Sequence, residues 1–400
     1  MSMSTDTAAA EGATDADEIR VRELTAQLLD EFDPRAVDST TFLGAQFDKG
    51  LAWVNFPEGR GGLGLSRKLQ GTIDSMLSKA KAPRSFPQNP IGWGMGAPTV
   101  LTHGSEDQKD RYLRRIFSCE DIWCQLFSEP GAGSDVAGLA TTAVKDGDEW
   151  VVNGQKVWTT LAHLSNFGML LARTDPDLPK HKGLSYFVID MHAPGVEVRP
   201  LRQMTGDAEF NEVYMTDVRI PDAERLGERG DGWKVAITTL MNERVALGGG
   251  AVPRNPYIAE AVHLWTTRAG DDPVLRERLA DLWVRAEVGR FTAMRARAGG
   301  AAGNPGPEGS IGKLAQAELN KDIHNLVMDI LGPEALLYPQ PYSAVSTESS
   351  GPQQDFLRAQ ANTIEGGTSA IMRNILGERV LGLPGDVRAD KGPWKDVPRN

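Results

Sequence analysis

A chain of 400 residues exceeds what one hydrophobic core usually holds, so two or three packed domains are expected. Lys and Arg total 43 against 54 Asp and Glu, a net charge of −11, which argues against sequence-independent binding to nucleic acid or anionic membranes. Cys119 and Cys124 have no His or second Cys pair beside them, which argues against zinc, and no apolar run approaches the ~20 residues of a membrane span, so a cytoplasmic, soluble protein is expected.

Residues 1–17 are Ala, Thr, Ser and acid with no basic start or hydrophobic block, the composition of a disordered tail and not of a signal peptide. From 18 to 125 the apolar period is helical, as in Ile19, Val21, Leu24, Leu28 and Leu29, then Leu69, Ile73 and Leu77. Within it, Gly59-Arg-Gly61-Gly-Leu-Gly64 matches a dinucleotide-binding pattern. No flanking βαβ unit supports it, and no carboxylate lies between Asp74 and Glu106, so a Gly-rich surface turn is expected.

Residues 126–230 change to short alternating runs. Trp150-Val-Val152, Asn153-Gly154 and Gln155–Trp158 predict a β-hairpin turning at Asn-Gly, which tolerates the positive φ of a type I′ turn. Further strands are predicted over Met169–Ala172, Leu184–Asp190, Val196–Pro200 and Glu212–Ile220, spaced as in an antiparallel barrel or sandwich. Across 231–384 the helical period returns, with helices expected near 232–248, 255–268, 273–298, 310–331 and 352–382. Residues 385–400 read as a second disordered tail. The order of helices, β domain and helices shows no βαβ alternation, so the expected class is α+β multidomain.

The run Phe127-Ser128-Glu-Pro-Gly-Ala-Gly133-Ser134-Asp135 opens the β domain. Its Pro and Gly force a tight turn whose N–H groups can converge on a phosphate, with Ser128 and Ser134 adding hydroxyls. Trp158, Thr159 and Thr160 follow, an aromatic and two hydroxyls suited either to a core or to a flat ligand stacked on the indole.

Together, Trp123–Asp135, Val152–Thr160, Asp217-Val-Arg-Ile-Pro221, Thr363-Ile-Glu-Gly-Gly-Thr-Ser369 and Arg379-Val-Leu-Gly-Leu383 resemble the acyl-CoA dehydrogenase family, in order and from about Glu18 to Leu383. The resemblance implies an N-terminal helical domain, a middle antiparallel β barrel and a C-terminal four-helix bundle. It implies FAD as cofactor and dehydrogenation of an acyl-CoA to the 2-enoyl-CoA, with flavin N5 taking the β-hydride. Phe127, Ser128 and Gly133 would line the flavin, and Ser134 would bond its pyrophosphate and meet the CoA pantetheine. Trp158 would pack on the ring system, with Thr159 beside it and Thr160 bonding N5. Thr368 would meet the cofactor at a helix start. The N–H of Gly366 would hold the thioester oxygen, and Arg244 would serve the substrate site. Electron-transfer flavoprotein would be the acceptor, and the assembly a homodimer or tetramer, with a heterotetramer as a variant.

Two carboxylates compete for the α-proton. In relatives with a C-terminal base, the Glu immediately precedes Gly-Thr; here Gly366 stands there and Glu365 falls one residue early. Relatives that handle branched or bulky chains keep the base before an Arg on the helix following the β domain, which here is Glu243 before Arg244. Spacing agrees independently, because Ala236, Leu240, Glu243 and Leu247 share one helical stripe. Glu243 is therefore the expected base. The chain departs from the family in lacking an Arg-x-x-Phe-Gly run that reaches a neighbour's cofactor. It also has Leu331-Gly332-Pro333 where Gly-Gly is usual and Asp329 where Gln is common. An acyl-CoA oxidase and a non-catalytic partner subunit stay open as alternatives.

Overall fold

A computed structural model describes residues 14–248, 254–300, 308–338, 351–385 and 390–397, with the side chains of 243–248, 296–300 and 308–309 outside the description. The chain forms two compact units. The described part of the first covers 14–199, 211–248 and 390–397; that of the second covers 200–210 and the residues from 254 to 385.

The first unit begins with six helices: α1 (Asp15–Glu31), α2 (Ser39–Asp48), α3 (Gln70–Lys79), α4 (Ser85–Gln88), α5 (Ala97–His103) and α6 (Glu106–Ser118). Thr14 caps α1, and Asp17 returns a bond to the cap backbone. Thr14–Asp17, expected in the tail, are thus cap and first turn, because reciprocal capping satisfies N–H groups that composition cannot reveal. Residues 1–13 of that expected tail lie outside the described residues. Gly59, Gly61 and Gly64 do form a turn at positive φ. It is not wholly superficial: Gly61 and Gly62 are buried, and a Cβ on Gly62 would meet the Phe56 carbonyl oxygen at 2.1 Å.

Eight strands follow: β1 (Trp123–Leu126), β2 (Thr142–Asp146), β3 (Glu149–Thr160), β4 (Phe167–Arg173), β5 (Leu184–Asp190), β6 (Val196–Leu201), β7 (Phe210–Pro221) and β8 (Arg225–Leu226). They pair in the order β6-β7-β3-β2-β4-β5-β8, with β1 on β4. The sheet is mixed and not purely antiparallel, since β1 runs parallel to β4 and β2 meets β4 in parallel at Thr142–Arg173. One face of β4 and β5 carries Met169, Leu171, Leu184, Tyr186 and Val188 into the core shared with α5 and α6.

The predicted Asn153-Gly154 hairpin is corrected. β3 runs unbroken through that dipeptide, and the turn lies at Gly147, whose φ is +59°. Gly154 is extended at φ +159°, and a Cβ there would sit 2.3 Å from Thr141 Oγ1. The glycine serves a close backbone approach, as isolated strand glycines often do. Asn153 is engaged across the sheet: its Nδ2 donates to Asp217 Oδ1 (3.0 Å), and the Asp217 N–H donates to its Oδ1 (2.9 Å).

Helix α7 (Gly232–Gly248) falls in the first compact unit. It buries Val235, Ala236 and Thr239 completely. The second unit holds α8 (Pro256–Arg268), α9 (Pro273–Gly300), α10 (Glu308–Leu331), α11 (Pro352–Ala359) and α12 (Ser369–Ile375). Ile258, Leu279, Leu282, Ile323, Leu326 and Val327 form its core. The single helix expected over 352–382 is broken, because Gly366 (φ +58°) and Gly367 (φ +95°) are left-handed between α11 and α12. Residues 390–397 of the expected C-terminal tail pack instead, with Trp394 buried. No helix among the described residues is long and apolar enough to cross a membrane.

Candidate active site

Strand β1 delivers the chain into the Phe127–Asp135 loop. Phe127 is buried edge-on against Tyr186, with centroids 5.8 Å apart. The Ser128 carbonyl accepts from Val157 N–H (2.9 Å), which docks the loop on β3. Glu129 is almost fully enclosed and accepts from the N–H groups of Ala140 (2.6 Å) and Thr141 (2.9 Å). It also accepts from Lys156 Nζ (2.8 Å), which itself donates to the Phe127 carbonyl (3.0 Å). Burial opposes the charge of Glu129, but Lys156 and the N–H donors outweigh it and hold the carboxyl below its usual range. Burial lowers the Lys156 ammonium, with Glu129 offsetting part of the effect.

This buried pair was not read from the sequence. Glu129 sits in a Gly/Pro turn and Lys156 in an alternating strand, and nothing local announces that residues 27 apart meet. With the turn pinned from behind, its front is open among the described residues: an added Cβ on Gly131 or Gly133 meets none of them within 4 Å, and Ser134 is exposed.

Trp158 takes a left-handed φ of +60° near the end of β3 and is 57% exposed as a residue. Thr159 is fully buried, with no partner for its Oγ1 among the described residues, while its carbonyl accepts from Asn211 Nδ2 (3.0 Å). Thr160 is half-buried. The structure therefore joins two of the predicted groups, the Phe127–Ser134 loop and the Trp158–Thr160 strand end, through the Ser128–Val157 and Phe127–Lys156 bonds.

Glu243 and Arg244 lie on α7 in the same unit, and their side chains are outside the described residues. The helix is fixed about one turn earlier, where Thr239 Oγ1 bonds Tyr186 Oη (3.0 Å) and Thr99 Oγ1 (2.9 Å). Tyr186 thus touches both Phe127 and α7, a link absent from the sequence reading because it spans three elements.

The second unit carries Gly366 and Thr368. Thr368 accepts from Ile371 N–H (3.1 Å) and so caps α12, a helix of only seven residues. Glu365, the rival base, is held by Arg358 through two bonds (3.1 and 2.9 Å) and by Asn362 Nδ2 (2.8 Å). A carboxylate so engaged has most of its lone pairs committed.

Three family models match the chain in succession: acyl-CoA dehydrogenase N-terminal domain over 16–120, middle domain over 124–218 and C-terminal domain over 230–381. Acyl-CoA dehydrogenase IpdE1 of Mycobacterium tuberculosis is 40% identical over 341 residues, covering 85% of this chain and 86% of that protein. Acyl-CoA dehydrogenase FadE34 of the same organism is also 40% identical over 341 residues, covering 84% of this chain and 45% of that protein. Among solved structures, the Tcur3481-Tcur3483 steroid ACAD is 28% identical with a TM-score of 0.70, over 92% of this chain and 97% of its own. The ChsE4-ChsE5 complex from Mycobacterium tuberculosis is 28% identical with a TM-score of 0.69, over 93% and 99%. Given helices, sheet and helices in that order, the pinned Gly-rich loop beside an exposed indole, and three matching domain models, the chain belongs to the acyl-CoA dehydrogenase family.

Proposed function

We propose that this acyl-CoA dehydrogenase binds FAD at the Phe127–Ser134 loop and the Trp158–Thr160 strand end, with Glu243 abstracting the α-proton. The supporting observation is the loop itself: glycines open at the front, a buried Glu129–Lys156 pair behind and an exposed indole on the strand to which it is bonded. That arrangement fits a flat, anionic group, with N–H groups for phosphate and an aromatic face for a ring. FAD, when bound, supplies the acceptor for the β-hydride. Phe127, Ser128 and Gly133 line it, Ser134 bonds its pyrophosphate and meets the CoA chain, and Trp158, Thr159 and Thr160 hold its ring system; Thr368, the cap of α12, is a further cofactor contact that the family resemblance implies. The thioester oxygen, where charge develops as the α-proton leaves, is held by the Gly366 N–H, and Arg244 assists substrate binding. In this reading the sheet is the family's middle barrel and the later helices its four-helix bundle.

The reading extends to partners. An oligomer is proposed, homomeric or mixed, acting in the cytoplasm with electron-transfer flavoprotein as acceptor. A mixed assembly gains support from the ChsE4-ChsE5 neighbour, which is a complex of two named chains. A second reading, a partner subunit without its own turnover, is motivated by the missing Arg-x-x-Phe-Gly run. The deciding experiment is anaerobic titration of the purified protein with straight, branched and steroid-type acyl-CoAs, following flavin bleaching; steroid thioesters are included because one structural neighbour is a steroid ACAD. Bleaching supports the enzyme, stoichiometric FAD in the purified protein argues against the partner subunit, and no flavin after expression with flavin supplied overturns the cofactor site.

A further inference from the structure

We propose that the C-terminal segment Asp390–Val397 is a strap that sets the position of the Ser134–Leu139 turn, with Trp394 and Asp390 as positioning residues for binding of the cofactor and CoA phosphates. The ligand part of this proposal rests on the Proposed function; the strap itself does not.

The segment docks through its backbone. Trp394 N–H donates to the Leu178 carbonyl (2.9 Å) and Lys395 N–H to that of Pro176 (3.0 Å), beside an antiparallel bridge between Pro179 and Pro393. Its side chains then reach the turn that follows Ser134. Trp394 Nε1 donates to the Gly138 carbonyl (3.2 Å). The same indole lies 4.4 Å under the guanidinium of Arg173. Arg173 is itself buried and donates to the carbonyls of Ala137 (2.7 Å), Leu139 (3.2 Å) and Lys180 (2.8 Å). The carbonyls of three consecutive turn residues, Ala137, Gly138 and Leu139, are thus held by Arg173 and Trp394 together.

A second tie runs through charge. Both oxygens of Asp135 accept from Lys180 Nζ (2.8 and 2.7 Å), and Lys180 also pairs with Asp390. Asp135 immediately follows Ser134, and its own carbonyl accepts from Gly138 N–H (2.8 Å). Lys180 is nearly enclosed, whereas the Asp135 side chain is 59% exposed, so the tie acts mainly through the geometry of its two hydrogen bonds and water screens part of the charge. Residues near position 390 are thereby coupled to the loop about 250 positions earlier. Positioning of this kind acts on ligand affinity, since an ordered turn presents its N–H groups without a further ordering cost.

The experiment compares wild type, Trp394→Phe, Trp394→Ala, Asp390→Asn and a chain ending at residue 389. Hydrogen exchange of the 136–139 amides is measured first on flavin-free protein. Faster exchange in Trp394→Ala and in the shortened chain supports the strap, whatever the ligand; unchanged exchange overturns it. FAD dissociation and steady-state kinetics are then measured on loaded enzyme. Loss of the indole bond and of its contact with Arg173 is expected to raise the FAD dissociation constant and the acyl-CoA KM about tenfold. Turnover at saturation should stay within about twofold, because no group touching the reacting carbons changes. Trp394→Phe, which keeps the ring but not the donor, should fall between. A lowered melting temperature with unchanged dissociation constant and KM would show a merely structural role and overturn the ligand part. Wild type that exchanges slowly yet binds no flavin would leave the strap standing and sink the Proposed function instead.

Discussion

Lys156 and Glu129 form an ion pair enclosed by protein, with Nζ 2.8 Å from Oε1 and side chains 0% and 8% exposed. The pair joins β3 to the Gly-rich loop, and its remaining bonds go to the Phe127 carbonyl and to the N–H groups of Ala140 and Thr141. Three segments of the first unit therefore depend on one contact. Removing a single partner leaves a buried charge uncompensated, which typically costs about 3–5 kcal/mol.

Lys156→Met is accordingly expected to lower stability by about that amount and to lower flavin content with it. Glu129→Gln combined with Lys156→Met should recover part of the loss, because neither charge then remains. Urea unfolding of both single variants and the double variant gives the coupling. Additive single losses would mean the two groups do not act as a pair.

The same contact predicts an acid dependence. The Glu129 carboxyl is held below its ordinary value of 4.5 in the folded state. Between the unfolded value and the depressed folded value the unfolded chain binds more protons, so stability falls as pH falls. The contribution is complete above the unfolded value and is lost as pH drops through the folded one. The gap between the urea midpoints of wild type and Glu129→Gln should therefore narrow as pH is lowered from pH 7 through the acid range. A constant gap would contradict the assignment.

Glu243→Gln should reduce turnover by at least about 10²–10⁴-fold while leaving flavin content and acyl-CoA binding nearly intact, since the amide keeps the shape but cannot take a proton. Glu365→Gln should act much less on the rate, because Glu365 is committed to Arg358 and Asn362. Stopped-flow flavin reduction separates the two. A dead Glu365→Gln beside a normal Glu243→Gln would reverse the choice of base.

Trp158→Ala should release flavin without loosening the fold, because a residue 57% exposed contributes little burial of its own. Trp158→Phe keeps an aromatic face and should retain most of the flavin. The ratio of flavin to protein absorbance checks both. Equal flavin content in all three proteins would remove Trp158 from the site.

Gly154→Ala and Gly147→Ala test where the chain turns. An alanine at Gly147 needs a left-handed backbone at φ +59°, a cost of about 1–2 kcal/mol. At Gly154 the new Cβ would lie 2.3 Å from Thr141 Oγ1 and 2.8 Å from Thr141 Cα, so backbone must move. Gly154→Ala should be the more destabilising in thermal unfolding. The opposite order would restore the turn to Asn153-Gly154.

The amino-acid sequence by itself determined the order of elements and singled out the Gly-rich loop at Phe127–Asp135 as a candidate ligand site. Amphipathic period places α7 through α10, and alternation places β4, β5, β6 and β7 within a few residues, because these signals are local to each segment. The Phe127–Ser134 and Trp158–Thr160 groups were legible for the same reason, each being a short run with its own chemistry. Only the tertiary structure decided which of those signals meant what. Asn153-Gly154 is locally a turn, yet the approach of Thr141 and the Asp217 bonds draw it into a straight strand. Residues 390–397 are locally a polar tail, yet Arg173, Gly138 and Leu178 give Trp394 a place to bury. The Glu129–Lys156 pair and the Tyr186 link between Phe127 and α7 likewise arise between segments far apart in the chain. Burial and hydrogen-bond satisfaction are properties of what surrounds a residue, and those surroundings exist only once the distant segments have come together.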